Sequence, residues 1–466
     1  MRDSLRNSSL TLSPKTMVTK SPVSLLLFFL LLTLVALSTG EFLRLPLLHK
    51  TPRPSPSEAL SLDLRRLSSL LRTRGAVKSP VTSGASSGTG QYFVTLHLGT
   101  PPQRLLLVAD TGSDLVWARC SACRNCSAHP RGSSFLARHS SSFRLHHCYS
   151  ATCRSVPHAA REPRCNHTHR HSPCRYEYSY SDGSVTAGFF SAETATLNTS
   201  SNRVDQLKGL NFGCGFRVSG PSVTGASFNG AQGVMGLGRG PISFSSQLGH
   251  RFGNRFSYCL LDYTLSPPPT SFLTIGGGSE KAAVSAATNL RFTSLLTNPI
   301  SPTFYYISIR SVYVDGAKLP VSPSVWFLDE LGNGGTIIDS GTTLTFLAEP
   351  AYRQILDAMR RRVKLPSPET PTPGFDLCVN VTELRRSLAV LPRLSFRLEG
   401  GAVLAPPPRN YFIDTAEGLR CLGIQAVTAE GAFSVIGNLM QQGFLLEFDR
   451  DRSRLGFSRR GCALSS

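Results

Sequence analysis

The amino-acid sequence predicts a mainly β protein built from two related lobes. Short stretches of alternating apolar and polar residues, separated by Gly and Pro, fill most of residues 91–459, where helical periodicity is rare. A pattern of two apolar residues, Asp, a hydroxyl residue, Gly and a second hydroxyl residue occurs twice, at 108–113 and at 337–342. Its carboxylates, Asp110 and Asp339, lie 229 positions apart, too far for a solenoid repeat. The repeat therefore indicates two similar lobes.

The repeated pattern is also the candidate site. An Asp on a tight turn after a buried strand presents its carboxylate at the strand end. Gly112 and Gly341 let a second backbone approach, and the hydroxyl residues can donate hydrogen bonds. If the two turns face each other, the carboxylates share a site in which like charges cannot both ionise. One carboxyl group is then an acid while the other is a base.

The residues before each Asp predict a strand, a turn and a second strand. Apolar residues alternate between 91 and 99, and the turn at 99–102 leads into the strand 105–108. Before the second Asp, the corresponding runs are 304–309, then 312–316, which ends in Asp315-Gly316, and then 334–338.

One helix is clearly predicted, from Pro350 to about residue 364. The residues on its apolar face follow helical spacing: Tyr352, Ile355, Leu356 and Met359.

The N-terminal residues indicate export. Residues 23–37 are almost unbroken in apolar character, follow Lys15 and Lys20, and precede small residues, which is typical of a signal peptide over residues 1–40. A signal anchor is the alternative, and Met17 is a second candidate start. No later stretch is apolar over a spanning length. We expect no stable membrane insertion after signal cleavage, and an extracellular or cell-wall location in preference to vacuole or plastid.

Residues 41–90 predict a propeptide and linker. The segment is basic, and its leucines at 60, 64, 67 and 71 follow helical spacing. Arg65, Arg66 or Lys78 would pair with an active-site Asp at neutral pH and release it in acid. An ordinary flexible leader is the alternative. Residues 79–90 are rich in Ser, Gly and Thr, which indicates an exposed processing region. The predicted lobes are 91–275 and 276–462.

The charge of the chain does not indicate a nucleic-acid partner. The formal net charge is +20, of which residues 1–80 supply 8, and the remaining excess is spread thinly. The sequence has no basic helix and no basic-aromatic repeat. A solvated surface close to acidic extracellular polymers is the interpretation we favour.

The cysteines also indicate an exported protein. All 12 lie downstream of the apolar run, which suits disulfides in an oxidising compartment. Seven of them fall between Cys120 and Cys174, and eight of the 11 His fall between His129 and His171, so zinc binding is an alternative. We favour disulfides and predict no metal. Four acceptor sequons are candidates for glycosylation: Asn125, Asn166, Asn198 and Asn380.

Further motifs accompany the two Asp patterns in a fixed order. They are Trp117, the Tyr-rich stretch 176–184, the Gly-rich stretch 233–241, and the C-terminal stretches 435–438, 441–442 and 455–457. With this ordered set the chain resembles the pepsin-like aspartic proteases (family A1), and more closely their plant nepenthesin-like branch, over residues 91–459. The resemblance implies a bilobal fold of two β-barrel-like lobes with the active site in the cleft between them.

The resemblance also implies roles for individual residues. Asp110 and Asp339 would hold one water molecule, and residues 234–236 and 435–437 would thread beside the two Asp loops. Tyr180 would be a flap residue with Trp117 as the partner of its hydroxyl; the alternative is that Tyr176, Tyr178 and Tyr180 only alternate along an exposed hairpin. The supporting residues are Thr111, Gly112, Ser113, Ser340, Gly341 and Thr342, and the first disulfide to expect is Cys378–Cys421.

The implied function is a secreted aspartic endopeptidase that is made as a zymogen and acts at acidic pH. It would hydrolyse peptide or protein substrates, without a cofactor and as a monomer. The alternative is a catalytically silent homologue that binds proteins, as the cereal xylanase inhibitors do, but the complete set of motif residues favours the protease. A two-carboxylate glycosidase is a third hypothesis, which the duplicated turns fit poorly.

Overall fold

Strands dominate the computed structural model of this chain, as the alternating pattern predicts. The structure describes residues 42–48, 60, 63, 91–124, 134–158, 172–180, 184–198, 204–224, 228, 230–262, 271–276, 289–382, 391–428, 432–460 and 462. The predicted signal peptide lies outside the described residues, as do Arg65, Arg66, Lys78, Asn125 and Asn166. The prediction of a mainly β fold is confirmed.

The strands of the first half of the chain are β1 (Phe42–Leu48), β2 (Phe93–Leu98), β3 (Gln103–Asp110), β4 (Trp117–Arg124), β5 (Arg144–Leu145), β6 (Arg175–Ser179), β7 (Val185–Asn198), β8 (Val204–Ser219), β9 (Gly233–Gly236), β10 (Arg255–Cys259) and β11 (Ser271–Gly276). Those of the second half are β12 (Arg291–Ser294), β13 (Tyr305–Ile307), β14 (Ile309–Val314), β15 (Ala317–Lys318), β16 (Thr336–Ile338), β17 (Thr345–Ala348), β18 (Cys378–Asn380), β19 (Leu394–Leu398), β20 (Val403–Leu404), β21 (Phe412–Ala416), β22 (Leu419–Leu422), β23 (Ile424–Val427), β24 (Ser434–Ile436), β25 (Leu445–Asp449) and β26 (Arg454–Ser458).

The helices of the described residues are short, with one exception. They are α1 (Pro221–Thr224), α2 (Phe244–Gln247), α3 (Gly249–Phe252), α4 (Glu349–Arg362) and α5 (Asn438–Gln441), with 3-10 turns at Ala137–His139, Thr152–Ser155, Pro323–Trp326, Glu399–Gly401 and Pro408–Asn410. Helix α4 matches the predicted helix, and its four predicted apolar residues are all buried. None of the helices described is long and apolar enough to cross a membrane.

The strands of the described residues form one large sheet and three small ones. The large sheet has 14 strands in the order β12-β26-β25-β10-β11-β1-β2-β3-β9-β4-β8-β7-β5, with β6 paired to β7. The smaller sheets have the orders β13-β16-β24-β17-β23, β15-β14-β19-β20 and β18-β22-β21. The large sheet joins strands from both ends of the chain.

Each lobe contains the same three-strand arrangement around its Asp motif. In the first lobe β9 lies parallel to β3 and antiparallel to β4. In the second lobe β24 lies parallel to β16 and antiparallel to β17. The sequence repeat is therefore a structural repeat, and the bilobal fold follows from it.

The predicted hairpin leads into the first Asp. Strands β2 and β3 pair from Phe93 opposite Val108 to Leu98 opposite Gln103. The inward-facing residues Tyr92, Val94 and Leu96 are at most 1% exposed. Burial of this apolar face fixes the register, because a shift by one residue would expose it.

Strand β1 was not predicted from the sequence. It lies between β11 and β2, within the segment that we predict as a propeptide, and its antiparallel register runs from Phe42 opposite Gly276 to Leu47 opposite Ser271. Leu43, Leu45 and Leu47 alternate into the core. Part of the predicted propeptide is thus a strand of the main sheet.

Disulfides connect distant elements of both lobes. The bonds in which both cysteines belong to the described part of the chain include Cys120–Cys214, Cys153–Cys174, Cys259–Cys462 and Cys378–Cys421. No cysteine among the described residues is free.

Candidate active site

The two Asp loops are placed by buried strands. Asp110 ends β3 and Asp339 follows β16, and their side chains are 0% and 1% exposed. The backbone N–H of Leu237, just after β9, donates to the carbonyl of Asp110 at 2.8 Å. In the second lobe the N–H of Asp339 donates to the carbonyl of Ile436, in β24, at 3.2 Å. The threaded stretches 234–236 and 435–437 thus lie beside the loops.

Glycine is required where these stretches pass the loops. A Cβ atom on Gly236 would lie 2.4 Å from the carbonyl carbon of Asp114, and one on Gly437 would lie 2.0 Å from the carbonyl oxygen of Leu344. Both contacts are with backbone, which cannot rotate away. Any side chain at these two positions would push an Asp loop out of place.

The two carboxylates have matching hydrogen bonds. Asp110 accepts one on Oδ1 from the N–H of Gly112, at 3.0 Å, and one on Oδ2 from the hydroxyl of Ser113, at 2.5 Å. Asp339 accepts the equivalent pair from the N–H of Gly341, at 2.9 Å, and from the hydroxyl of Thr342, at 2.7 Å. These bonds fix the orientation of each carboxylate.

Thr111 and Ser340 join the two loops. The N–H of Ser340 donates to the hydroxyl oxygen of Thr111 at 2.8 Å, and the N–H of Thr111 donates to the hydroxyl oxygen of Ser340 at 3.1 Å. The Ser340 hydroxyl donates in turn to the carbonyl of Ala109, at 3.2 Å. The structure thus brings the two predicted turns together across the lobes.

The tyrosines of the predicted flap are buried. Tyr176, Tyr178 and Tyr180 are at most 3% exposed, so the exposed-hairpin alternative is wrong for these side chains. The indole N–H of Trp117 donates to the hydroxyl of Tyr180 at 2.5 Å, and Phe228 stacks on Trp117 with a centroid distance of 6.0 Å. Residues 181–183 lie outside the described residues.

Sequence reasoning missed Asp114. Its carboxylate accepts hydrogen bonds from the N–H of Gly240 and from the hydroxyl of Thr303, both at 2.7 Å. Because it is buried, desolvation raises its pKa above the ordinary range, although both hydrogen bonds and the charge of Arg450 oppose this shift. Asp114 ties the first Asp loop to the Gly-rich stretch. The signal in the sequence was an extra Asp directly after the first motif, which the second motif lacks.

A polar network behind Asp339 supports the second loop. The side-chain amide of Gln441 donates to the carbonyls of Asp339 and Ile436, at 3.1 and 2.8 Å, and that of Asn438 donates to the carbonyl of Ser340 at 3.0 Å. The hydroxyl of Tyr258 donates to Oε1 of Gln441 at 2.6 Å. Burial raises the pKa of Tyr258 well above its ordinary value, so this hydroxyl keeps its proton. Only the positions 438 and 441–442 were noted in the sequence, without a role.

The remaining predicted residues lie away from the loops. Cys378 and Cys421 form a disulfide between β18 and β22, with a Cα–Cα distance of 4.0 Å. Asn198 and Asn380 are exposed at the ends of β7 and β18. No group of three or more His, Cys, Asp or Glu side chains that suits a metal ion occurs among the described residues.

Comparisons with known proteins agree with this geometry. The chain matches the family models described as Xylanase inhibitor N-terminal, over residues 92–277, and Xylanase inhibitor C-terminal, over residues 304–459. It is 38% identical to aspartyl protease family protein 2 of Arabidopsis thaliana over 431 residues, which cover 89% of this chain and 83% of that protein. It is 33% identical to aspartic proteinase nepenthesin-2 of Nepenthes gracilis over 402 residues, which cover 86% and 84%.

Solved structures show the same fold. The structure of the protein named EDGP matches with a TM-score of 0.66 and 20% identity, covering 92% of this chain and 97% of that one. Basic 7S globulin from soybean matches with a TM-score of 0.62 and 18% identity, covering 90% and 96%. At these identities the likeness concerns the fold alone.

Proposed function

Since the chain belongs to the pepsin-like aspartic proteases, in their nepenthesin-like branch, we propose that it is an aspartic endopeptidase that hydrolyses peptide bonds of protein substrates at acidic pH. The observation that carries the proposal is the matched pair of carboxylates, each held by a Gly N–H and a hydroxyl on loops that Thr111 and Ser340 join. Two carboxylates that share a site share one proton, which provides an acid and a base together.

In the proposed reaction, Asp110 and Asp339 activate one water molecule. The ionised carboxylate takes a proton from the water, which attacks the scissile carbonyl, while the protonated carboxyl group donates a hydrogen bond to the carbonyl oxygen. The amine then leaves with a proton from the pair, and no covalent acyl-enzyme forms. The hydrogen bonds from Ser113 and Thr342 keep the carboxylates oriented throughout.

Tyr180 is the proposed flap residue. Its hydroxyl accepts a hydrogen bond from the indole N–H of Trp117, which holds Tyr180 just after β6. A flap that closes over a bound peptide excludes bulk water and fixes the peptide against the carboxylates.

The proposal includes export and processing. Residues 1–40 are the proposed signal peptide and residues 41–90 the proposed propeptide and linker, ahead of lobes at 91–275 and 276–462. Asn198 and Asn380 are exposed, which supports them as glycosylation sites in a secreted chain. We propose an extracellular or cell-wall location and a monomer.

The second candidate is a catalytically silent protein that binds and inhibits another protein. The observation that favours it is the match to two family models named for xylanase inhibitors. The presence of both Asp residues, both motif glycines and the Trp117–Tyr180 pair favours the peptidase.

The test is cleavage of an unfolded protein by the secreted, processed chain, between about pH 2.5 and about pH 7, with and without pepstatin. Asp110→Asn and Asp339→Asn are compared with Asp414→Asn, which removes an exposed carboxylate in β21. We expect acid-dependent cleavage that both active-site variants lose and the control keeps. No cleavage by correctly folded, processed wild type would contradict the proposal and favour the inhibitor.

A further inference from the structure

The small sheet β15-β14-β19-β20 of the second lobe has one face in the core and one in solvent. Val312 and Val314 of β14 and Phe396 of β19 are buried on the first face. Side chains alternate along a strand, so their neighbours in sequence point to the other face. The residues of the solvent face include Tyr313, Lys318, Ser395, Arg397 and Val403. The solvent face therefore combines an aromatic ring with basic side chains.

Tyr313 lies at the centre of this face. In the register of the sheet it is directly opposite Lys318 on one side and Ser395 on the other. The hydroxyl of Ser311 donates to that of Tyr313 at 3.3 Å. Hydrogen bonds from Ser311 and Arg397 lower the pKa of the tyrosine, as do the charges of Arg397 and Lys318. A ligand that stacks on this ring therefore meets two cations beside it.

A cavity of about 870 Å³ continues from one end of the face. Ser395 belongs to both, since it also lines the cavity. The basic groups of the cavity are Arg393, two residues before Ser395, and Arg459, just after β26, while the prolines at 406–408 form part of its wall. Ligand sites in proteins typically span about 300–1,000 Å³. No residue of either Asp loop is among the described residues that line the cavity, so it is separate from the proposed active site.

The cations of the face and the cavity are Lys318, Arg393, Arg397 and Arg459. None of the four forms an ion pair within the part of the chain that the structure describes. Other exposed arginines do pair, as Arg353 does with Glu349. The acidic residue that lines the cavity, Asp315, lies 3.6 Å from Arg362 and accepts a hydrogen bond from the backbone N–H of Arg393. The region thus carries a net positive charge that an external anion can neutralise.

The spacing of the cations favours a polymer over a small anion. Arg393 and Arg397 are four residues apart along one strand, which is about 13 Å. One carboxylate cannot reach both, whereas carboxylates repeated along a polymer can, and each guanidinium can bind one through two parallel hydrogen bonds. Between the two arginines lie the ring of Tyr313 and the hydroxyl of Ser395. These groups suit the apolar face and the hydroxyl groups of a sugar.

We propose that this face and its cavity bind an acidic polysaccharide, a polymer of uronic acids. The carboxylates of the sugars pair with Arg393 and Arg397, one sugar ring stacks on Tyr313, and the polymer continues into the cavity toward Arg459. The disulfides, which are typical of exported chains, favour such an extracellular polymer over a nucleic acid. The inference goes beyond the proposed peptidase function and does not depend on it.

The first experiment measures binding of the full chain to immobilised polygalacturonate. The variant Arg393→Gln/Arg397→Gln is compared with Arg251→Gln/Arg353→Gln, which removes the same charge from exposed arginines that pair elsewhere. Loss of two charged hydrogen-bonding groups should weaken binding by about tenfold, while the control should bind as wild type does. Equal affinity of wild type and the first variant would overturn the proposal, as would an equal loss in the control or no binding by wild type.

A second experiment separates a saccharide site from a general polyanion surface. Binding of polygalacturonate, its methyl-esterified form, polyglutamate and single-stranded DNA is measured for wild type and for Tyr313→Thr, which keeps a residue that favours strands. We expect wild type to bind polygalacturonate most tightly and Tyr313→Thr to lose this preference. Binding of polyglutamate or DNA as tight as that of polygalacturonate would reject a saccharide as the ligand. A preference that survives in Tyr313→Thr would reject the stacking of a sugar on this ring.

Discussion

Thr111 and Ser340, 229 residues apart, exchange backbone-to-hydroxyl hydrogen bonds in both directions, at 2.8 and 3.1 Å. Each residue directly follows the Asp of its motif, so this exchange sets the spacing of the two carboxylate-bearing loops. The acid and the base of the proposed mechanism lie in different lobes. Their relative position therefore depends on these two buried hydroxyl groups.

The variant Thr111→Val should lower both stability and turnover. Loss of the hydroxyl leaves the buried N–H of Ser340 without its acceptor, which costs about 1–3 kcal/mol in the free energy of unfolding. The misplaced loops should reduce kcat more than they raise KM. Thr336→Val is the matched control, since the hydroxyl of Thr336 is buried and has no hydrogen-bond partner among the described residues. Equal losses in the two variants would contradict the role of Thr111.

The variant Tyr180→Phe should reduce kcat/KM and lower the free energy of unfolding by about 1–3 kcal/mol, because the buried indole N–H of Trp117 loses its acceptor. It removes the acceptor of the Trp117 indole N–H and so releases the base of the flap. We expect a loss on the order of tenfold, as for a positioning group. Tyr176→Phe, four residues earlier and in β6, removes a hydroxyl that bonds to Thr186 instead and should keep kcat/KM. The measurement is kcat/KM of the two variants and of wild type on one peptide substrate, and an equal loss in both variants would contradict a specific role for Tyr180.

Asp114 should make the protein more stable in acid than at neutral pH. Burial raises its folded-state pKa above the unfolded value of 3.8, so the folded state favours the protonated form. The stabilising contribution is complete below the unfolded pKa and is lost as pH rises through the folded pKa. The hydrogen bonds from Thr303 and Gly240 lower the pKa of Asp114 and so limit the shift. The charge of Arg450 also lowers this pKa, while the carboxylate of Asp110 raises it.

The check is chemical unfolding of wild type and Asp114→Asn at about pH 3 and about pH 7. The difference in unfolding free energy between the two pH values should be smaller in the variant, because its amide does not titrate. An identical difference in the two proteins would show that Asp114 has no part in the acid stability.

The variant Arg119→Met should stabilise the fold. Arg119 is 1% exposed; its guanidinium donates to the carbonyl of Val223, while Nε and Nη1 have no partner among the described residues. Desolvation lowers its pKa to about 10, so the folded state pays for this charge at any pH below that value. Removing the charge while keeping the length of the side chain should raise the free energy of unfolding by about 1–2 kcal/mol.

The control for Arg119 is Arg310→Met. Arg310 is exposed and pairs with Glu399, and such a surface pair contributes less than about 1 kcal/mol. Thermal and denaturant unfolding of both variants gives the comparison. A destabilised Arg119→Met protein would show that the guanidinium is a structural necessity.

Repeated patterns in the sequence were sufficient to predict the mainly β fold and to locate the two Asp loops. The alternation at 91–99 and the apolar face of α4 are repeated patterns that burial imposes, so they could be read locally. The two Asp motifs were recognisable because the chain contains them twice. The proposed roles of Asp110 and Asp339 themselves await the cleavage experiment.

The hydrogen-bond partners of single buried polar residues could not be predicted from the sequence. Asp63 is defined by its hydrogen bond to Leu344, 281 positions away, and no local pattern predicts such a partner. The same holds for Asp114 and Gln441. Asp114 accepts a hydrogen bond from a backbone N–H of another segment, and Gln441 donates one to a backbone carbonyl of another segment. The segment of β1 also alternates, but the sequence predicts it as part of a propeptide and not as a strand. Pro46 lies opposite Phe272 in β11, while β2 pairs only with Leu47 and Leu48, so β2 needs no hydrogen bond from Pro46.

Strand β1 also determines what cutting the chain would produce. Six of its residues pair with β11 and two pair with β2, and Leu43, Leu45 and Leu47 belong to the main hydrophobic core. A cut between residues 79 and 90 would therefore yield a two-chain protein, in which the short N-terminal chain stays bound without a covalent link. Its loss would open a slot in the middle of the sheet, with unpaired backbone groups on both sides that invite another extended segment to enter.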